Sequence, residues 1–424
     1  MNSKLTAIYY LLLLLFMLLW TSRTDTPMIL RTIFFVAVMI PGINNRHGLL
    51  LAALTFFWIV STYGYAISFM PTMTEFYVAA AFVAIITFRY KSRYTYFGGG
   101  NYVIPFLLIL TCVRNIWEGA LVDDLVYILI LLLLTHYLLP SINNQTINYF
   151  QMSFMSITLI LALSFLAMRD RYIVPDEKGI IGWTDQNYFG MVIGMGASIG
   201  VANLFRFKEL SKIIQTMTIA SICLSVPVLL MLASRGAVMC LVASGALILL
   251  MSTSDYRKKL LIIASVVSFL YYLYTNEYFD LLEERIKQDD GTGSQRLTIW
   301  TAKWNAFFLK DSLWELLFGV SRQQGLAFGA TNATRGLGFH NDFLAFFVSY
   351  GVMGLSLFVT LLTQPLRDIR RHSPYRIVIM ANIAYLVAGS ITLEPFFYGY
   401  FPFYAFLLYT MLLTRVNNKI INRR

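Results

Sequence analysis

Long apolar runs alternate with short polar connections along this chain. A helix that crosses a bilayer needs roughly 20 apolar residues, and runs of about that length centre near residues 13, 34, 58, 82, 108, 130, 158, 196, 223, 244, 266, 351, 385 and 406. The second, Met28–Ile40, is short enough to be a half-span. The pattern predicts an all-α fold: a polytopic transmembrane helical bundle of about 12–14 helices, one integral membrane domain over residues 1–424. Leu5–Trp20 ends in TSRTDTP rather than a small-x-small cleavage site, and another span follows, so it reads as the first helix and not a signal peptide. The rhythm breaks between residues 275 and 339, a long loop carrying arginines and tryptophans before the chain turns apolar again at HNDFLAFFVSYGVMGL.

Composition agrees with a membrane protein. Of 424 residues 58% are hydrophobic and 13% charged, with a mean hydropathy of +0.65, whereas soluble domains are about a quarter charged. Cys112, Cys223 and Cys240 all lie in apolar runs, so neither a disulfide framework nor a metal-ligand spacing can be built from them. The net charge of +11 is explained by topology rather than by nucleic acid. An N-terminus inside places Pro41–Gly48, Arg89–Asn101, Arg206–Lys212, Ser252–Lys259, Gln364–Arg376 and the RVNNKIINRR tail in the cytoplasm. With Lys4 these hold about 19 of the 33 Lys and Arg residues, as the positive-inside rule expects. Of the 22 acidic residues only Glu209, Asp255 and Asp368 then fall inside. Both termini are expected in the cytoplasm, and the long loop on the outer side.

Three polar features interrupt the apolar background on that outer side. LLMLASRGAVMC drops Ser234, Arg235 and Gly236 between two spans. Arg235 is either an arginine snorkelling to the headgroups or an anion ligand, whose fork of donors fits phosphate and beside which Gly236 lets a backbone come close. In SQRLTIWTAKW the spacing puts Arg296, Trp300 and Trp304 on one helical face. That face suits an amphipathic helix lying on the bilayer or a site that uses the arginine. His340 stands at the mouth of a span beside Asn341 and Asp342. Imidazole chemistry suits a proton acceptor or a donor to an oxyanion, while either Asn341 or Asp342 could cap the helix start. Gly351 and Gly354 further on are small residues of the kind that let membrane helices pack closely.

Other chemistries lack their motifs. There is no GxxxxGK[ST] for a nucleotide-driven motor, no HExxH or Cys/His cluster, and no GxSxG elbow. Fixed charges within the spans are few, Arg31 being the clearest, which disfavours a transporter of charged cargo.

The series WTDQNYFG, SRGA, SQRLTIWTAKW and HNDFLAFFVSYGVMGL resembles the shared region of the O-antigen polymerase and O-antigen ligase superfamily, over residues 183–362. The resemblance implies a metal-independent, inverting membrane glycosyltransferase without cofactor. Its donor would be a glycan on a polyprenyl pyrophosphate such as undecaprenyl pyrophosphate, and its acceptor a glycan or glycolipid. Arginines matching Arg235 and Arg296 would hold the pyrophosphate, with the histidine matching His340 by the reacting groups. Asp185 and Asn187 match the DxN element; His340, Asp342 or Asp185 would accept the proton. Tyr188, Trp300 and Trp304 are candidate sugar platforms. Arg322, Arg335 and Asn341 are further candidate substrate contacts. The absence of an appended soluble domain makes a protein-glycosylating member less expected. The expected activity is polymerisation of lipid-linked repeat units of a surface polysaccharide, at the outer face of a bacterial cytoplasmic membrane. Ligation of a finished glycan to a lipid A-core acceptor is the alternative, and glycolipid binding or transport without catalysis a second. Membrane lipid and a chain-length regulator protein are the remaining expected partners.

Overall fold

A computed structural model describes residues 106, 109–110, 144–167, 186–252, 256–287, 296–310, 312–328, 338–367, 369, 375–397 and 401–421. The spans expected near residues 13 to 130 lie outside these, apart from isolated positions in one, as do Asp185 and Arg335. The described residues form twelve α-helices and one short 3-10 turn, with no strand. We number them α1 (Asn144–Ala167), α2 (Gln186–Leu204), α3 (Lys212–Met231), α4 (Arg235–Met251), α5 (Tyr256–Thr275) and α6 (Asp280–Lys287). There follow α7 (Arg296–Phe308), α8 (Leu313–Phe318), α9 (Arg322–Ala327), α10 (Asp342–Arg367), α11 (Arg376–Thr392) and α12 (Phe401–Ile421). The all-α expectation is met, with a helix at each of the eight expected centres from 158 to 406. Among the described residues α3, α5 and Asp342–Leu366 of α10 are long and apolar enough to cross a membrane, and α4 and α11 are shorter apolar helices.

The bundle is built around α2, which packs against α1, α3, α4 and α11. Its sequence, QNYFGMVIGMGASIGVANL, explains how one helix can have four close neighbours. Gly190 faces Ser234 and Ala237 of α4, Gly194 the Tyr385 hydroxyl of α11, Gly196 Thr158 of α1, and Gly200 Ile222 of α3. Lipid gives helices little hydrophobic reason to associate, so small residues and interhelical hydrogen bonds do that work. Ser198 and Ser244 share a hydrogen bond of 2.6 Å, Asn203 donates to Thr218 at 3.2 Å, and the Tyr385 hydroxyl donates to the Met191 carbonyl at 2.6 Å.

The long connection between α5 and α10 carries four short helices, α6 to α9. Its α8–α9 corner docks on α10 with backbone against backbone: Val320 N–H donates to the Val348 carbonyl at 2.9 Å and Ser321 N–H to that of Ser349 at 3.1 Å. The approach needs two glycines. Gly319 (φ 77, ψ 176) and Gly351 (φ 67, ψ −165) both occupy a backbone region open essentially to glycine alone. A Cβ on Gly351 would land in the Leu317 carbonyl group, and one on Gly319 in that of Ser349. Gly351, expected to let helices pack closely, thus breaks α10 and admits loop backbone instead.

Candidate functional site

The residues that follow α11, 393–397, hold the turn that carries His340. Glu394, 1% exposed, accepts the Phe339 amide N–H at 2.6 Å and also that of His340. In return Asp342, 0% exposed, accepts from Phe397 N–H at 2.8 Å through Oδ1 and from Phe396 N–H at 3.3 Å through Oδ2. Each acidic residue therefore ties down two consecutive amides of the other segment. A carboxylate is acceptor-only when ionised and has lone pairs for two such bonds, so the sequence Glu-Pro-Phe-Phe opposite Phe-His-Asn-Asp is chemically complementary. Between the clasps Asn341 Oδ1 accepts Leu344 N–H at 3.0 Å and caps α10. His340 itself has φ 49, a left-handed conformation that costs a non-glycine residue energy and persists only where the surroundings over-determine it. Here they do, since all four residues from 339 to 342 are fixed by a side chain or an amide.

The end of α11 also reaches the start of α4. Gly236 packs its Cα beside Thr392, the last residue of α11, with a built Cβ 3.3 Å from the threonine hydroxyl. Gly236, next to Arg235, and the amides of the His340 turn thus meet the end of α11 two residues apart, at Thr392 and Glu394. The α4 start is fixed in turn: Ala233 has φ 49, and buried Ser234 accepts from Ala237 N–H at 3.4 Å while its hydroxyl lies 3.3 Å from Asn187 Oδ1. Asn187 opens α2, so the DxN-like element and the SRG element, 47 residues apart, are brought together. The N-termini of α2, α4 and α10 all face this end, and each carries partial positive charge. With half-buried Arg235 at the first position of α4, the arrangement favours an anion.

The loop helices supply the other wall. The Trp300 indole N–H donates to the Phe339 carbonyl at 2.7 Å, and Trp304 stacks on Phe347 with ring centres 5.4 Å apart. Arg296 lies one turn before Trp300, at the first position of α7. Trp300, Trp304, Asn341, Phe343, Phe347 and Leu355 line a groove of about 460 Å³ between α7 and α10. Both tryptophans, expected as sugar platforms, are thus engaged in seating α7, although Trp304 keeps 47% of its surface exposed. Arg322, at the start of α9, sets its guanidinium 5.1 Å from the centre of the Phe397 ring. Tyr188 is half-buried beside Asn187.

Asp342 was expected as a proton acceptor or substrate contact; it is instead sealed from solvent with both oxygens on backbone amides. Two buried charged groups escaped the sequence reading. Lys303, within SQRLTIWTAKW, is 0% exposed and donates to the Gly325, Leu326 and Phe328 carbonyls at 3.1–3.2 Å, closing the end of α9 beneath the Phe339 ring. Burial pushes its ammonium down to about 8, partly offset by Glu394. Glu394 is pushed up to about 7, mainly by burial, against its two amide bonds and the charges of Lys303 and Arg322. A signal for Glu394 was present: a single carboxylate after an apolar run, directly before proline. Among the described residues no cluster of His, Cys, Asp and Glu could hold a metal ion.

A family model described as O-antigen ligase matches residues 219–359. The matched stretch contains the SRG start of α4, the SQRLTIWTAKW helix α7 and the HND turn that opens α10. The resemblance to the O-antigen polymerase and ligase superfamily is therefore shown for this region. It stops short of Glu394. No curated protein matches the chain.

Proposed function

We propose that this chain is a membrane glycosyltransferase that polymerises polyprenyl-pyrophosphate-linked repeat units of a surface polysaccharide, with its site at the outer face of the cytoplasmic membrane. The family match supports a function of the O-antigen ligase and polymerase type. The observation that supports the catalytic reading is that Gly236, next to Arg235, packs on Thr392, Ser234 meets Asn187, and Glu394, two residues after Thr392, holds the turn that carries His340. Positioned groups must reach one reacting centre, and sequence distance alone would not have required these to meet.

In this reading an acceptor hydroxyl attacks the anomeric carbon from the face opposite the lipid pyrophosphate. The new glycosidic C–O bond forms as the anomeric C–O bond to phosphate breaks, with inversion. The hydroxyl proton passes to His340, and the electron pair leaves with the pyrophosphate. Arg235 and Arg296 stabilise the charge that builds on that leaving group. Asp342 takes no part as base, because its oxygens are committed.

Ligation is the second reading, favoured by the match to the family described as O-antigen ligase. It uses the same donor chemistry and differs in the acceptor. The test is reconstitution of purified protein with a short lipid-pyrophosphate oligosaccharide from its own host, with chelator and without acceptor lipid. A ladder of longer lipid-linked products, lost in Arg296→Ala, is the expected result. Transfer only after the host's core glycolipid is added establishes a ligase. No transfer in either case, with donor binding intact, moves the assignment to a glycolipid-binding or transport protein.

A further inference from the structure

Glu394 is a buried carboxylate that belongs to neither the expected motifs nor the matched region, yet it is the side chain that holds the backbone of His340. We propose that Glu394 is the positioning residue for His340: its ionised carboxylate, clasping the Phe339 and His340 amides, holds the left-handed turn that presents the imidazole. The proposal rests on the catalytic reading of His340 given above, and it adds a control on that residue.

Among the described residues, charged groups on three elements lie close to Glu394. Lys303 comes from α7 and Arg322 from α9, both stabilising its charge; Asp342, at the start of α10, is the other buried carboxyl nearby. The amides of residues 339 and 340 complete the shell. Two adjacent N–H groups require two acceptor lone pairs, which the ionised form supplies. Protonation puts a hydroxyl hydrogen on one oxygen and weakens both bonds, and the turn then loses what over-determines it. With burial holding the carboxyl near 7, the clasp is tight above neutral pH and loosens as pH falls through that value. Asp342 continues to hold residues 396 and 397, so the connection stays docked while the histidine turn relaxes. The switch is therefore local.

The experiment compares wild type, Glu394→Gln and Arg322→Gln in proteoliposomes, reading turnover of the lipid-pyrophosphate oligosaccharide from pH 5.5 to 8.5. In the same samples, NMR of imidazole-labelled histidine reads His340, assigned by its loss in His340→Gln among four histidines. Wild-type kcat should show an inflection near pH 7. In Glu394→Gln at pH 8, kcat should fall about tenfold with the donor KM within twofold of wild type, and the inflection should vanish. Arg322→Gln removes a cation that favours the ionised form and should move the inflection to higher pH. The His340 signal should change near pH 7 in wild type and lose that component in Glu394→Gln. An inflection unchanged in both variants, or a KM increase with kcat preserved, overturns the proposal. If wild type transfers nothing to any acceptor, the catalytic reading fails. The His340 signal then still decides whether Glu394 controls the turn, and a signal indifferent to Glu394→Gln overturns it.

Discussion

Replacing Gly351 by alanine tests the feature on which the loop side of the site depends, the insertion of backbone 317–321 against a broken α10. At φ 67 and ψ −165 an alanine is in a region essentially closed to it, a cost of order 1–3 kcal/mol. Its Cβ would also occupy the space of the Leu317 carbonyl group. The loop must then withdraw, giving up the Val320 and Ser321 hydrogen bonds at about 1 kcal/mol each. Together these favour the undocked loop by about 3–5 kcal/mol, which at tenfold per 1.4 kcal/mol raises its population by roughly 100- to 4,000-fold. Where opening is fast relative to cleavage, proteolysis follows that population. Limited proteolysis in nanodiscs should therefore cut Gly351→Ala between α7 and α9 at least 100-fold faster than wild type. Gly245→Ala is the control, since a Cβ there meets nothing within 4 Å. Equal cleavage of Gly351→Ala and Gly245→Ala would refute the reasoning, for it would mean that the two backbones do not touch.

Further outcomes follow from the same contacts. Lys303→Met should leave three carbonyls without their donor and destabilise α9 by roughly 2–4 kcal/mol, read as faster amide hydrogen exchange over residues 322–328; unchanged protection there would show that Lys303 does not close that helix. Asp342→Asn keeps the shape but replaces one acceptor by an N–H donor facing an amide. It should lower the unfolding midpoint by an amount equivalent to about 1–3 kcal/mol while donor binding persists; loss of binding without loss of stability would restore Asp342 to the substrate site. His340→Gln should abolish transfer at pH 8 and leave donor affinity within twofold, measured by retention of labelled donor in detergent. Glu394 also makes stability depend on pH. Its folded-state value of about 7 exceeds the ordinary 4.5, so its contribution is fully present below about 4.5 and is lost as pH rises through 7. The difference is worth at most about 3 kcal/mol. Unfolding midpoints between pH 4.5 and 7.5 should decline in wild type and less steeply in Glu394→Gln.

Much of the architecture was legible because membrane helices advertise themselves by length and apolarity. Eight of the expected centres fall on helices, and the four small positions of α2 explain its place at the centre. Arg235, Asn187 and His340 stand out in the sequence as polar residues at the ends of apolar spans. What was not legible was the identity of their supports. Lys303 reads in sequence as one more cation on an amphipathic helix; only tertiary packing shows that it is buried on three carbonyls. Asp342 looked more chemical than Asn341, yet the asparagine caps the helix on the groove side and the aspartate is sealed inside. Both carboxylates act across more than fifty residues of chain, so no local pattern could pair them.

The two clasps share a logic with an asymmetry in it. Each holds a pair of amides, but Glu394 alone has cations beside it, from Lys303 and Arg322. Burial disfavours its charge and those cations restore part of it, which leaves the group poised between two forms rather than fixed in one. The ionised form makes the turn that presents His340; the neutral form is the one that the fold itself prefers. Stability and activity contributed by this one residue should therefore change in opposite directions as pH rises from 5 to 8. A support that was only architectural would have them rise and fall together.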